Sequence, residues 1–167
     1  MTSQTLLGRL EPFAHLTESQ LGLLASAVEK RDLPAGTMIL KEGDSTEEAF
    51  VVAGGRVRIQ RQTPYGAYAL AVLGAGELFG ETAFVDRHGR SGDAVAESAT
   101  ELLVLRPAAL GILMEKDQRF AIAMYWAFWK SLARKLRRTN DLLAQFLSQG
   151  GPAPVPSSSG TSSGKTA

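Results

Sequence analysis

The stretch FGETAFVDRHGRS, Phe79 to Ser91, decides the fold and points to the chemistry of this chain. Gly80 allows the backbone to approach a ligand closely, because glycine has no Cβ. The following residues are able to open a helical turn whose free N–H groups favour an anion, and Arg90 offers a planar fork for two phosphate oxygens. A carboxylate beside a phosphate is repelled unless it accepts hydrogen bonds, and a ribose hydroxyl supplies one to Glu81. The acid and the arginine together predict a pocket for the sugar phosphate of a nucleotide.

Each of these two charges also has an ordinary structural explanation when it is taken alone. Glu81 fits a first-turn acid that complements a helix dipole, and Arg90 fits a surface cation with no fixed partner. Their joint occurrence, nine residues apart and followed by a hydroxyl at Ser91, favours the ligand pocket.

The sequence around this stretch is punctuated by glycines. Between Leu33 and Leu105 they separate short segments rich in Val, Ile, Phe and Tyr, which predicts an all-β roll or barrel. Residues 56–60 alternate as Arg-Val-Arg-Ile-Gln, which places Val57 and Ile59 on the core face and the two arginines in water.

Helix signals flank the β region on both sides. Thr17 to Gln20 has the form of a capping box, Thr-x-x-Gln, and predicts a short helix that starts there. Pro107 fits the first turn of another short helix. Asp117 fits the cap of a third helix, which runs without Gly or Pro to Gln149.

This last helix is longer than a domain of this size can cover with itself, roughly 45 to 50 Å at about 1.5 Å per residue. Its first half is apolar nearly all round, as expected of a helix wedged between the roll and a second surface. Its second half has a seam with spacings of four, three, four and three, as in a coiled coil: Leu132, Leu136, Thr139, Leu143 and Phe146. The pattern predicts a parallel homodimer.

Composition bounds the organisation of the chain and its partners. With 167 residues and 44% apolar content we expect one domain over residues 1–149. Residues 150–167 contain five Ser, four Gly and three Pro, which predicts a disordered tail. Eighteen basic and seventeen acidic side chains give a net charge of +1, so nothing global favours nucleic acid or an anionic membrane as a partner.

Two residue types are scarce. The chain has no cysteine and no apolar leader, which predicts a cytoplasmic protein without disulfides or thiolate chemistry. Its two histidines are too few for a cupin-like metal site, so neither a metal nor a cofactor is expected.

The stretch from Phe79 to Ser91 resembles the phosphate-binding cassette of the cyclic nucleotide-binding domain family, and the resemblance extends over roughly residues 10–146. Three further segments resemble the family's first helix, first β-hairpins and post-cassette strand, and a fourth is similar to the long C-terminal helix of bacterial cAMP receptor proteins: PFAHLTESQLGLLA (12–25), LPAGTMILKEGD (33–44), ELLVLRPAAL (101–110) and LARKLRRTNDLL (132–143). The resemblance implies a mainly β fold with flanking helices. It is a double-stranded β-helix or jelly-roll-like β-roll with short N-terminal helices and a long C-terminal dimerisation helix.

The same resemblance implies a set of ligand-binding residues: Phe79, Gly80, Glu81, Thr82, Ala83, Arg90, Ser91, Thr139 and Asn140. Gly80 and Glu81 would meet the ribose. Arg90 and Ser91 would meet the cyclic phosphate. Thr139 and Asn140 would face the purine base, and Thr139 fits equally a polar residue that sets the register of the seam.

The sequence departs from the family at two places. Gly92 and Asp93 replace a small apolar residue and a β-branched or aromatic one. Asp93 would repel a phosphate that it faced, whereas on the outside of the strand it would be neutral or would pair with an arginine. Strand alternation from Ser91 places Asp93 on the same side as Ser91. In addition, residues 150–167 cannot form the helix-turn-helix domain of the bacterial transcription factors, so direct DNA binding is not expected.

These observations predict a stand-alone sensor of cAMP or cGMP, not an enzyme, that signals through its C-terminal helix to an unidentified protein partner. Two alternatives stay open. One is an interaction scaffold with a degenerate pocket, and the other is a sensor of a different effector such as a cyclic dinucleotide. The sequence does not distinguish cAMP from cGMP, because Ser91, Thr139 and Asn140 are able to bond to either base or to the phosphate.

Overall fold

The computed structural model describes residues 3–64 and 66–149, so the predicted tail at 150–167 lies outside the described residues. The helices, with one 3-10 turn at Glu11–Phe13, are α1 Ser3–Arg9, α2 Glu18–Ala27, α3 Glu81–Asp86, α4 Pro107–Lys116 and α5 Gln118–Ser148. The strands are β1 Val28–Leu33, β2 Met38–Leu40, β3 Ala49–Gly54, β4 Val57–Thr63, β5 Gly66–Leu73, β6 Leu78–Phe79, β7 Asp93–Ala96 and β8 Thr100–Leu105.

The strands of the described residues form two four-stranded antiparallel sheets. Their orders are β1-β8-β3-β6 and β2-β7-β4-β5. Apart from the β4–β5 hairpin, neighbours in each sheet are distant in sequence, as expected of a roll in which the chain crosses repeatedly from one sheet to the other. The predicted β-roll with flanking helices is therefore confirmed.

Strand alternation divides the core into two clusters. Phe50 and Val52 of β3 face the interior of the roll, where they pack with side chains from both sheets. Ala49 and Val51, on the opposite face of the same strand, contact the layer of helices. On β4, Val57 is fully buried and packs inside the roll, as its alternating sequence predicts.

The helices start where their capping residues predict. The Thr17 side chain accepts a hydrogen bond from the Gln20 amide, and the Gln20 side chain accepts one from the Thr17 amide, so the capping box is complete. Pro107 occupies the first turn of α4. The Asp117 carboxylate accepts from the Phe120 amide at 3.0 Å and caps α5, which ends one residue before the predicted limit.

The described residues divide into two compact units, one that ends at Arg134 and one that starts at Lys135. The first unit contains both sheets, α1 to α4 and the first part of α5. In that part, Phe120, Met124 and Phe128 are buried in the helical cluster, while other aromatic side chains are more than half exposed: Tyr125, Trp126 and Trp129. The prediction of a single domain that ends at residue 149 stays a prediction.

Candidate functional site

The site begins at Gly80, where β6 ends and α3 starts. Gly80 has φ +75°, in the left-handed region that other residues avoid. A Cβ at this position would lie 2.9 Å from Nη1 of Arg90 and 3.0 Å from the carbonyl oxygen of Glu48. Glycine is thus required both for the turn and for the close approach of the arginine.

Arg90 is buried, with 4% of its surface exposed, and its guanidinium is held by three hydrogen bonds. Nη1 donates to the Gly80 carbonyl at 2.9 Å, Nη2 to the Glu48 carbonyl at 2.7 Å, and Nε to the Thr46 hydroxyl at 2.9 Å. Arginine has five N–H donors, so these bonds leave one on each terminal nitrogen. Two such donors on one planar group match two oxygens of a phosphate.

The loop of residues 41–48 fixes the backbone of Arg90 as well. The Gly43 amide donates to the Arg90 carbonyl, and the Arg90 amide donates to the Asp44 carbonyl, both at 2.9 Å. Burial lowers the pKa of Arg90, and the nearby carboxylates of Glu48, Asp44 and Glu47 oppose that shift. The guanidinium is therefore a fixed, partly desolvated cation whose charge the loop stabilises.

Glu81 is the first residue of α3 and is fully buried. The Ser131 hydroxyl, on the buried face of α5, donates to its Oε1 at 2.9 Å. The same hydroxyl lies 3.4 Å from the Leu78 carbonyl, a longer and weaker contact. The acid of the cassette is thus tied by a hydrogen bond to the long helix.

The predicted cation contacts the peptide group that precedes the predicted acid. Nη1 of Arg90 bonds to the Gly80 carbonyl, and that carbonyl belongs to the peptide that links Gly80 to Glu81. The guanidinium therefore lies beside the backbone from which the acid projects.

The other predicted residues of the cassette differ in exposure. Phe79 is buried and its ring stacks on Phe50, with centroids 5.1 Å apart. Ala83 is also buried, whereas Thr82 and Ser91 are exposed. Of these four residues, Thr82 and Ser91 are therefore the ones whose side chains, both hydroxyls, face solvent. The ring of Phe79 belongs to the interior of the roll.

Thr139 and Asn140 lie on α5 in the second compact unit, and both are exposed. The prediction that they meet the base stays a prediction, and so does the register role of Thr139.

Asp93, the doubtful residue of the cassette, is buried and bonded to amide groups. Its Oδ1 accepts from the Glu42 amide at 2.9 Å, and its Oδ2 accepts from the side chains of Gln62 at 3.2 Å and Gln60 at 3.4 Å. The Glu42 amide and then Gln62 hold the pKa of Asp93 below its usual range. These hydrogen bonds from amide groups compensate the carboxylate.

Sequence reasoning missed three residues of the site: Thr46, Glu48 and Ser131. Thr46 and Glu48 precede Arg90 by more than forty positions, and Ser131 follows Glu81 by fifty. The only local sign of these partners in the sequence is the acidic loop KEGDSTEE at 41–48, which contains Thr46 and Glu48. Its first four residues belong to the segment that resembles the first β-hairpins of the family.

Across residues 3–64 and 66–149, no group of three or more His, Asp or Glu side chains is placed to hold a metal ion. No helix among the same residues has the length and apolar character needed to cross a membrane.

Comparison with known proteins agrees with this geometry. The sequence profile of the cyclic nucleotide-binding domain family matches residues 30–117, more than half of the chain. The chain belongs to this family. The resemblance inferred from the cassette is confirmed.

Three relatives show how far the similarity extends. The chain is 40% identical over 94 residues to the cyclic AMP receptor protein of Thermus thermophilus, which covers 56% of this chain and 44% of that protein. It is 28% identical over 148 residues to a CRP-like cAMP-activated global transcriptional regulator of Mycobacterium tuberculosis, covering 85% and 62%. A solved cyclic nucleotide-binding domain from Methylobacillus flagellatus has the same fold, with a TM-score of 0.79, 21% identity and coverage of 92% and 85%. The chain thus spans about half of the length of the curated relatives it matches.

Proposed function

We propose that this cyclic nucleotide-binding domain senses a cyclic purine mononucleotide, cAMP or cGMP, and reports its presence through α5. Arg90 binds the cyclic phosphate with its two remaining N–H groups, and Glu81 accepts a hydrogen bond from the ribose. Gly80 permits the close approach, Ser91 and Thr82 supply exposed hydroxyls, and Thr139 and Asn140 contact the base. The protein catalyses nothing.

One observation carries the proposal: a buried guanidinium keeps two donors beside the peptide that leads into a buried carboxylate. A ligand that fits both must bring an anion and a hydroxyl donor close together, and a ribose 3′,5′-cyclic phosphate has both on one rigid ring.

The bound nucleotide is reported by a homodimer of this chain, which acts on a protein partner. The residues of the predicted seam are mostly exposed in the single chain, including Leu136 at 62%, Leu143 at 54% and Phe146 at 70%. Exposed apolar side chains at heptad spacing favour association with a second copy. The cysteine-free composition suits the cytoplasm.

A second candidate function, a scaffold without a ligand, is favoured by a specific observation. Arg90 already has three protein acceptors, and Glu81 already accepts from Ser131, so neither charge requires a ligand to be compensated. Asp93 does not favour the scaffold, because its carboxylate is bonded to amide groups.

Calorimetry with cAMP, cGMP and cyclic di-GMP on the full chain distinguishes the candidates. We expect a cyclic mononucleotide to bind, and Arg90→Lys to lose on the order of 2 kcal/mol or more of binding free energy, because lysine keeps the charge but not the fork. Lysine is a better test than alanine, since alanine also removes three hydrogen bonds from the fold.

The matched control is Arg87→Lys, because Arg87 is an exposed arginine in the same loop. This substitution should leave the affinity unchanged. Binding of no nucleotide would favour the scaffold. Binding of the cyclic dinucleotide alone would assign a different effector.

A further inference from the structure

Ser131 connects the long helix to the acid of the binding site. It lies on α5 within the first compact unit and is 3% exposed, on the face that also buries Phe128. Its Oγ to Oε1 distance to Glu81 is 2.9 Å. A hydroxyl has a single proton, and the shorter contact with a carboxylate is preferred to the 3.4 Å contact with the Leu78 carbonyl. Ser131 is therefore a donor to Glu81.

We propose that Ser131 is a positioning residue that orients Glu81 to read the 2′-hydroxyl of the bound ribose. A carboxylate accepts about four hydrogen bonds through its two oxygens, so the Ser131 bond does not prevent one from a ribose. By fixing one oxygen, Ser131 fixes the plane of the carboxylate and thus the direction in which the ribose must donate. This inference rests on the proposed function, since it assigns a role within the same site.

The contacts of the two charges separate ribose recognition from phosphate recognition. The three hydrogen-bond acceptors of the Arg90 side chain belong to Thr46, Glu48 and Gly80, and none of these residues is on α5. Loss of the Ser131 hydroxyl should therefore weaken recognition of the ribose and leave recognition of the phosphate intact.

This role of Ser131 links ribose recognition to α5. The carboxylate that reads the ribose is bonded to α5, so the preference for a 2′-hydroxyl depends on a hydrogen bond from that helix. A change at Ser131 alters which nucleotide is selected, whereas an ordinary packing residue of the helix alters only stability.

The test is calorimetry on the full chain with cAMP and 2′-deoxy-cAMP, and with the corresponding guanine pair. We expect the wild type to prefer the ribonucleotide. Ser131→Ala should weaken its binding by about three- to tenfold and change the 2′-deoxy affinity by less than about twofold, since only the ribose contact is disturbed. The measured quantity is the ratio of the two affinities, which a general loss of stability does not change.

Further variants make the test independent of one substitution. Ser131→Thr keeps the hydroxyl and should preserve the ratio, while Ser131→Cys keeps the size with a weak donor and should lower it. If Ser131→Ala does not fold, the cysteine variant decides the question. Ser26→Ala removes an exposed serine hydroxyl that bonds within α2 and serves as the control. In a Glu81→Gln background, the additional effect of Ser131→Ala on the ratio should disappear.

The outcomes separate this inference from the proposed function. A wild type that binds no cyclic nucleotide overturns both. A wild type that binds without preferring the 2′-hydroxyl overturns the ribose contact of Glu81 together with the role of Ser131. A Ser131→Ala variant with an unchanged ratio overturns the role of Ser131 alone. Equal losses for both nucleotides would likewise overturn it, because they would make Ser131 a structural residue only.

Discussion

Arg90 and Asp93 are two buried charges of opposite sign, three residues apart, and the structure compensates each of them with hydrogen bonds. The guanidinium donates to carbonyl and hydroxyl oxygens, and the carboxylate accepts from amides. A buried charge without such partners is costly, so these bonds are a condition for the cassette to fold at all. Only Arg90 keeps donors for a ligand.

Asp93 makes the stability of the protein dependent on pH in a defined direction. Hydrogen bonds from the Glu42 amide and then Gln62 lower its pKa in the folded state below the usual 3.8. The charged form is thus favoured by folding, and this stabilisation is present above the unfolded-state pKa and is lost as pH falls through the folded-state pKa.

We expect Asp93→Asn to lower the free energy of unfolding at pH 7 by about 1 to 3 kcal/mol, because donors then face a partly donating amide. The difference from the wild type should shrink as pH falls below the usual range of an aspartate. Urea unfolding between pH 2 and 7 measures it, with the exposed Asp141→Asn as control. A difference that is constant over this range would contradict the assignment.

Among the secondary-structure elements, α5 carries both buried and exposed aromatic side chains. Phe120, Met124 and Phe128 anchor its first part in the helical cluster, while Trp126 and Trp129 are exposed at 54% and 69%. These are the two tryptophans of the chain. Trp129 precedes Leu132 by three positions and so continues the seam spacing, which makes it a spectroscopic reporter of association.

Leu136→Glu tests whether the seam holds two copies together. A charge in an apolar seam is costly to bury, so we expect the dimer dissociation constant to rise at least about tenfold. Sedimentation equilibrium measures this constant, and dilution of the wild type should shift the tryptophan emission to longer wavelength. Arg137→Glu changes the neighbouring exposed residue outside the seam and is the control. Equal effects of the two substitutions would exclude the predicted seam.

At the scale of the whole molecule, nucleotide binding and dimerisation are expected to be coupled. Coupling between two binding events is reciprocal, with typical factors of about 5 to 150. If α5 transmits occupancy, a saturating cyclic nucleotide should change the dimer dissociation constant by such a factor.

The same coupling should also appear as a difference in nucleotide affinity between the monomer and the dimer. With one nucleotide site on each chain, the Leu136→Glu variant should bind the nucleotide with an affinity per site that differs from that of the wild-type dimer by the square root of that factor, because each dimer has two sites. Calorimetry of the variant and sedimentation of the wild type give the two numbers. A nucleotide that binds without affecting dimerisation would leave the sensor without its proposed output.

Elements that depend on neighbouring residues were predictable from the sequence. The capping box at Thr17 and Gln20 and the cap at Asp117 each follow from one or a few adjacent side chains. The same holds for Val57 on the core face, because a strand alternates with a period of two. The cassette spacing identified the family for the same reason, since its residues are consecutive.

The compensation of the buried charges depends instead on the tertiary structure. It joins positions that are 31 to 51 residues apart: Arg90 with the loop of residues 41–48, Asp93 with its amide donors, and Ser131 with Glu81. No local pattern encodes such pairs, because they arise from the way the sheets and α5 pack together. Strand alternation correctly described the strands, but the hydrogen bonds that satisfy Asp93 depend on side chains from other strands and loops.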